Sequence, residues 1–113
     1  MALDTDWELT NSVFGGNTNA AAAYALALTA AASEIYTNDL NVRLRVSYLR
    51  LWTGNGPDSD PWNQGSTVDQ LFQYRDYWVA NEAGVPRDLG HFLSGRGLGG
   101  GVAWLPGLCG GDY

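Results

Sequence analysis

Hydrophobic and polar residues alternate one for one at the start of the chain. The positions on one phase are Leu3, Thr5, Trp7 and Leu9, and the acidic positions between them are Asp4, Asp6 and Glu8. A period of two predicts a β-strand over residues 2–9 with one face in the core. We expect the carboxylates on its other face to pair with Arg43 and Arg45 of a neighbouring strand, as an exposed, salt-bridged row.

Residues 19–40 change to helical spacing. The segment is rich in alanine, which favours a helix, and its apolar residues recur every three or four positions. The predicted buried stripe consists of Ala21, Tyr24, Leu28, Ala32 and Ile35. Residues 42–52 then alternate again, and we expect them to form a second strand. A strand, a helix and a strand in this order predict a parallel pair of strands.

A second helix is predicted from about residue 67 to residue 83. Thr67 can cap its first turn while Gln70 reaches back to the backbone, which is the pattern of a capping box. The expected buried residues of this helix are Val68, Leu71, Phe72, Trp78 and Val79. After the helix, residues 89–94 are short and apolar and predict a third strand, and residues 95–97 predict a turn.

Residues 98–105 are predicted to form a last strand, although they include Gly99, Gly100 and Gly101. Consecutive glycines weaken a strand, so they indicate either close approach of another backbone or a loop with a short strand at 102–105. The complete pattern is β-α-β-α-β-β, an α/β (α+β) fold in which two helices accompany a mostly parallel, twisted sheet. A chain of 113 residues has the size of one domain, which we expect to span residues 1–113.

Charge and composition exclude several classes of function. Twelve acidic residues are set against six arginines and no lysine, which gives a net charge of −6. Such a chain lacks the basic face that nucleic acids require. No apolar run approaches the roughly 20 residues that span a bilayer, so no membrane partner is expected. The N-terminus is acidic and lacks a basic start followed by an apolar run, so we expect no signal peptide in this sequence.

Few side chains suit catalysis or metal binding. His91 and Cys109 are the only residues of their types, and a zinc site needs three or four such ligands, so no cofactor is expected in this chain. Ser94 and Asp88 each lie three residues from His91. This odd spacing places them on the opposite face of a strand and argues against a catalytic triad.

The segment from His91 to Cys109 carries a family resemblance. It reads His-Phe-Leu-Ser-Gly-Arg, then a glycine-rich run, then Val-Ala-Trp-Leu, and later Gly-Leu-Cys. This order is similar to that of the reprolysin-like (adamalysin-type) zinc metallopeptidases, which are metzincins. In that family an apolar strand is followed by a glycine-containing edge strand, an alanine–aromatic step and a cysteine. The order of strands and helices along the whole chain agrees with the family as well.

The resemblance implies a role for the glycine-rich strand. In metzincins the edge strand lines the cleft and pairs with an extended peptide substrate. The residues that would form this rim are Gly100, Gly101, Val102, Ala103 and Trp104. The family binds zinc through His-Glu-x-x-His and a third His, on a helix after the cysteine segment, and this motif does not occur in the sequence. We therefore expect an incomplete metzincin-like upper subdomain that is inactive alone, with the zinc held by its secreted, bacterial-type parent.

Two other hypotheses stay open. The chain could be a free-standing small α/β protein that binds a partner, or an enzyme that uses Asp4, Asp6 or Glu8 in a pocket. A His-Glu-x-x-His motif encoded after Tyr113 would favour the metallopeptidase fragment, and a genuine stop codon would favour the binding protein.

We also expect a homodimer. In metzincins a further strand lies between the strand at 89–94 and the edge strand. Without it, one sheet edge and an apolar surface remain uncovered, and both promote association. The expected interface residues are Leu98, Val102, Trp104 and Leu105.

Overall fold

A computed structural model describes residues 1–105, which form an open parallel sheet and two long helices. The strands are β1 (Ala2–Thr5), β2 (Tyr48–Arg50) and β3 (Gly90–Leu93), and the helices are α1 (Thr18–Leu40) and α2 (Thr67–Asn81). A π-helical turn spans Leu9–Val13, and a 3₁₀ turn spans Pro57–Ser59. The element order β1-α1-β2-α2-β3 confirms the predicted α/β class. No helix within residues 1–105 combines the length and apolarity that crossing a bilayer requires.

Strand β1 is the centre of the sheet, which has the order β2-β1-β3. Both neighbours are parallel to it, with Leu3 opposite Leu49 on one side and His91 on the other. All four residues of β1 are buried. The strand ends at Thr5 rather than at Leu9, because the Asp6 carboxylate accepts a hydrogen bond from the Leu9 backbone N–H at 2.9 Å. This bond turns the chain into a helical turn, as a capping side chain does.

Helix α1 matches its predicted bounds but buries a different face. Asn17 caps its start by accepting from the Ala20 N–H at 3.0 Å, and Asn41 ends it in the left-handed conformation. The buried residues are Ala21, Ala25, Thr29 and Ser33. The predicted stripe was wrong for Tyr24, Leu28 and Ile35, which are 47%, 43% and 62% exposed. Small side chains bring the rest of the protein close to the helix, and the larger apolar residues fall outside this narrow contact.

The N-cap of helix α2 lies one residue before the predicted cap, Thr67. The cap is Ser66, whose hydroxyl accepts from the Asp69 N–H at 3.1 Å. The helix buries Gln70, Tyr74 and Trp78. Of the predicted stripe, Trp78 is confirmed, whereas Val68, Phe72 and Val79 are exposed. Trp78 and Tyr74 join Trp62 and Ala2 in an aromatic core cluster, with ring centroids of Trp62 and Tyr74 5.8 Å apart.

Two predicted strands differ from the structure. Residues 42–46 are not a strand, and Arg43 and Arg45 are exposed. Asp4 and Asp6 are fully buried, and the arginine that pairs with Asp6 and lies near Glu8 is Arg96. The expected ion pairs are therefore wrong. Residues 98–105 also form no strand, since Gly99 and Gly100 have φ angles of +94° and +109°, which extended strands do not use. Cys109 lies outside the described residues.

Candidate functional site

A groove of about 570 Å³ lies between α2, β3 and the glycine-rich segment, which we define as residues 97–104. Side chains of α2, including Leu71 and Arg75, form one wall, and the residues of β3 form the other. The five predicted rim residues all line the groove: Gly100, Gly101, Val102, Ala103 and Trp104. The structure thus brings together the segment singled out by the sequence and a concave surface large enough for part of a peptide.

The free edge of β3 faces this groove. Within residues 1–105, β3 pairs with β1 alone, and Leu89 O accepts from Ala2 N at 2.8 Å. In a parallel ladder, alternate residues point their backbone groups to opposite sides. The N–H and C=O groups of Gly90 and Phe92 therefore point away from β1. This edge carries main-chain groups that an added strand could pair with.

Tyr74 forms the floor of the groove beside Gly90. A Cβ atom at Gly90 would lie 2.7 Å from the Tyr74 hydroxyl, so the close contact requires glycine there. That hydroxyl is buried and has no hydrogen-bond partner among the described residues. Burial and the neighbouring Asp4 raise the pKa of Tyr74, which keeps the phenol protonated and able to donate.

Two contacts attach the glycine-rich segment to α2. The Thr67 hydroxyl donates to Leu98 O at 2.6 Å. At the other end, the Trp104 ring meets the Phe72 ring edge to face, with centroids 4.8 Å apart. The Arg75 guanidinium lies 5.0 Å from the Phe72 centroid and 5.6 Å from that of Trp104, which adds cation–π attraction.

A buried carboxylate lies where β3 ends and this segment begins. The Asp6 side chain is fully buried and accepts hydrogen bonds from four groups. They are Leu9 N at 2.9 Å, Gly95 N at 2.8 Å, Arg96 Nε at 3.1 Å and the Ser94 hydroxyl. Sequence reasoning placed Asp6 on a solvated face and gave Arg96 no role. Two features of the sequence could have indicated this contact. They are an acid, Asp6, directly after the central strand, and the Ser-Gly-Arg turn at residues 94–96.

Asp4 is a second buried carboxylate, and its partners are aromatic. The indole N–H groups of Trp52 and Trp78 each donate to it at 2.9 Å, and Thr5 N donates at 2.9 Å. Burial raises the pKa of Asp4, and these hydrogen bonds act in the opposite direction. Asp4 and Asp6 are closed to solvent and their oxygens accept from N–H and O–H donors. Glu8 is partly exposed, lies 3.9 Å from Arg96 Nε and does not line the groove. The hypothesis that Asp4, Asp6 or Glu8 catalyses a reaction in this pocket therefore has no geometric support.

The described residues do not fit a zinc ion. They contain no group of three or more His, Cys, Asp and Glu side chains that could hold a metal. His91 lines the groove from β3 as a single imidazole. The Ser94 hydroxyl donates to Asp6 and accepts from Arg96 N at 3.0 Å, so it is not directed at His91 as a triad would need.

Comparison with protein families gives one match, and it covers the whole sequence. Residues 1–113 match the family model Reprolysin_5, described as metallo-peptidase family M12. No curated protein matches the chain. The match extends over every element described above, including the groove, the buried carboxylates and the glycine-rich segment.

Proposed function

The chain belongs to metallo-peptidase family M12 of the reprolysin type, and from that premise we propose that it is the substrate-pairing part of a zinc metalloendopeptidase. In this proposal residues 1–113 form one domain-sized unit, the N-terminal part of a catalytic domain. The zinc ligands belong to residues outside this sequence, so these 113 residues alone do not hydrolyse peptide bonds. The parent is a secreted, bacterial-type enzyme that acts on peptides.

The observation that carries the proposal is the position of the glycine-rich segment on the rim of the groove. Gly100, Gly101, Val102 and Ala103 are exposed, and Trp104 packs on α2. Without side chains, the two glycines leave their backbone open to another chain. An extended peptide can therefore bind by main-chain hydrogen bonds, which give affinity without demanding one sequence. In this role Gly100, Gly101, Val102, Ala103 and Trp104 are the substrate-binding residues.

A peptide titration tests this assignment. The chain is titrated with an extended apolar peptide blocked at both ends, and backbone amide shifts are followed by NMR. We expect the Gly100 and Gly101 amides to move most. Val102→Pro and Ala103→Pro each remove one backbone N–H from the rim, and at least one of them should abolish binding. Val102→Ala and Ala103→Gly keep both N–H groups and serve as the matched controls. Shifts confined to α1 would contradict the assignment.

The coding sequence after Tyr113 separates this proposal from the free-standing binding protein. A His-Glu-x-x-His motif within a few tens of codons supports the metallopeptidase. A genuine stop codon without that motif, combined with peptide binding, favours a binding protein that has no enzymatic activity. Peptide binding therefore tests the site, and the downstream sequence tests the chemistry.

We also propose that the isolated chain forms a homodimer through its exposed sheet edge. Val102 and Leu105 support this, because they are 42% and 93% exposed and Val102 lines the groove together with β3. Exposed edges and apolar surfaces both favour association. The interface should include Leu98 and Trp104 as well. Light scattering at micromolar concentration should give a dimer, and Trp104→Asp should give a monomer. A persistent wild-type monomer contradicts the dimer.

A further inference from the structure

We propose that Arg96 is a positioning residue that sets where the glycine-rich segment lies against α2. This inference rests on the proposed function, because the glycine-rich segment contains the proposed peptide rim. It assigns the position of that segment to a buried network of hydrogen bonds outside the rim. Arg96 lines the inner end of the groove, at the point where the chain leaves β3. Its side chain is 18% exposed and joins three separate parts of the protein.

The first part is the end of β1. The Asp6 carboxylate accepts hydrogen bonds from three consecutive residues, which are Ser94, Gly95 and Arg96. The chain leaving β3 is therefore wrapped around one carboxylate. Gly95 allows this, because a Cβ atom there would lie 2.4 Å from Leu9 N and 2.6 Å from the Glu8 carbonyl carbon. Backbone thus contacts backbone, and the turn has little freedom to shift while Asp6 keeps these hydrogen bonds.

The other two parts are reached by the guanidinium fork. Nη1 donates to Gln64 O at 2.9 Å, in the loop before α2, and Nη2 donates to Gln70 Oε1 at 2.8 Å, on α2 itself. Gln70 is 1% exposed, and its own Nε2 donates to Gln73 Oε1 at 3.0 Å, which holds the amide in place. Each nitrogen of Arg96 therefore has a partner in a different element. A lysine has one ammonium group and cannot make this planar arrangement.

The glycine-rich segment begins directly after this point. Leu98 O accepts from Thr67 on the first turn of α2, and Trp104 packs on Phe72, five residues further along the helix. Arg96 thus attaches the start of the glycine-rich segment to α2, the helix on which the end of the segment packs. Loss of the fork should let residues 97–104 shift relative to α2, and the peptide rim should shift with them.

The test uses the full chain labelled with 5-fluorotryptophan and observed by ¹⁹F NMR. The sequence has five tryptophans, and Trp104→Phe assigns the resonance that reports on the rim. We expect Arg96→Lys to move the Trp104 resonance and to weaken peptide binding roughly tenfold, as loss of charge-assisted hydrogen bonds does. The matched control is Arg87→Lys. Arg87 lies over Trp78 at 4.7 Å and donates to Glu82 O and Val85 O, so its variant should move the Trp78 resonance and leave peptide binding unchanged.

Gln70 supplies a second pair of variants in case Arg96→Lys does not fold. Gln70→Met removes the acceptor for Nη2 at similar size and should move the Trp104 resonance. Gln70→Glu keeps an acceptor and should leave that resonance close to its wild-type position. If Arg96 and Gln70 had a merely structural role, all these variants would lower the unfolding midpoint. The Trp104 resonance would then not differ between Gln70→Met and Gln70→Glu.

The outcomes separate this inference from the proposed function. If the Trp104 resonance stays in place in Arg96→Lys and Gln70→Met, Arg96 does not position the segment. If the resonance moves but peptide affinity is unchanged, the segment's placement does not control the rim, and the inference is again wrong. If wild-type protein binds no peptide, the proposed rim fails, while the Trp104 resonance still decides whether Arg96 sets the segment's place.

Discussion

The two long helices bury faces of opposite character. Helix α1 buries four small residues and leaves Tyr24, Leu28 and Ile35 at the surface. Helix α2 buries two large aromatic residues, Tyr74 and Trp78, and one fully enclosed amide. The apolar spacing predicts that Leu28 and Ile35 of α1 and Val68 and Val79 of α2 are buried. All four residues are exposed, so both predictions are wrong in part.

The difference shows what selects a buried face in this protein. On α1 the buried stripe is chosen by size, since small residues permit a close contact. On α2 it is chosen by chemistry, because the helix supplies Gln70 to Arg96, whose charge compensates Asp6. A buried charge must be paired and hydrogen-bonded, and this demand outweighs the preference for burying one more aliphatic side chain.

The largest effect is expected from breaking the charge pair on the α2 side. Asp6→Asn removes the carboxylate nearest to Arg96, leaving Glu8 Oε2 3.9 Å from Arg96 Nε, and places an amide N–H₂ group among hydrogen-bond donors. We expect a loss of about 3–5 kcal/mol in the free energy of unfolding, the range for removing one partner of a buried pair. Urea unfolding measures it. The matched control is Asp58→Asn, at an exposed position, which should change stability by less than about 0.5 kcal/mol. A similar small loss for both variants would mean that the Asp6 network contributes little.

The order of elements from β1 to β3 and the helix bounds could be predicted from the sequence, because alternation and capping residues are local signals. The buried faces could not be predicted in the same way. Asp6 occupies the polar phase of an alternating run, and its burial depends on Ser94, Gly95 and Arg96, nearly 90 positions later. The glycine-rich segment was expected to be a strand, and the left-handed φ angles of Gly99 and Gly100 prevent that here.

On the α1 side, adding volume to the buried small-residue stripe should lower the free energy of unfolding. Ala25 is fully buried in the small-residue stripe, and leucine at this position would force the helix away from its contact. We expect Ala25→Leu to lower the free energy of unfolding by about 1–3 kcal/mol, as overpacking does. The control is Ala23→Leu, one half-turn away at an exposed position, which should be nearly neutral. Equal effects of the two substitutions would contradict a close contact at Ala25.

The pH dependence of stability should reflect the buried acids near β1. Burial raises the pKa of Asp4, Glu8 and Asp60. A carboxyl group with a raised pKa binds more protons in the folded than in the unfolded state. The free energy of unfolding therefore falls as pH rises from about 4 through the folded pKa. We expect the free energy of unfolding to decline toward neutral pH, and to decline less steeply in Asp4→Asn. Stability that rises over this interval, or an identical slope in the variant, would contradict this assignment.

The smallest effect is expected where the sequence had predicted a large one. Leu28 belongs to the predicted stripe of α1, yet it is 43% exposed, so a large part of the free energy of burying a leucine is not realised there. Alanine also has the highest helix propensity, which offsets part of any lost contact. Leu28→Ala should therefore change the free energy of unfolding by less than about 0.5 kcal/mol. Leu3→Ala, in the fully buried β1, provides the contrast and should cost about 2–5 kcal/mol. If Leu28→Ala approached the cost of Leu3→Ala in dilute solution, the outer face of α1 would be covered in the folded protein. If that cost also rose with protein concentration, the covering surface would belong to a second chain.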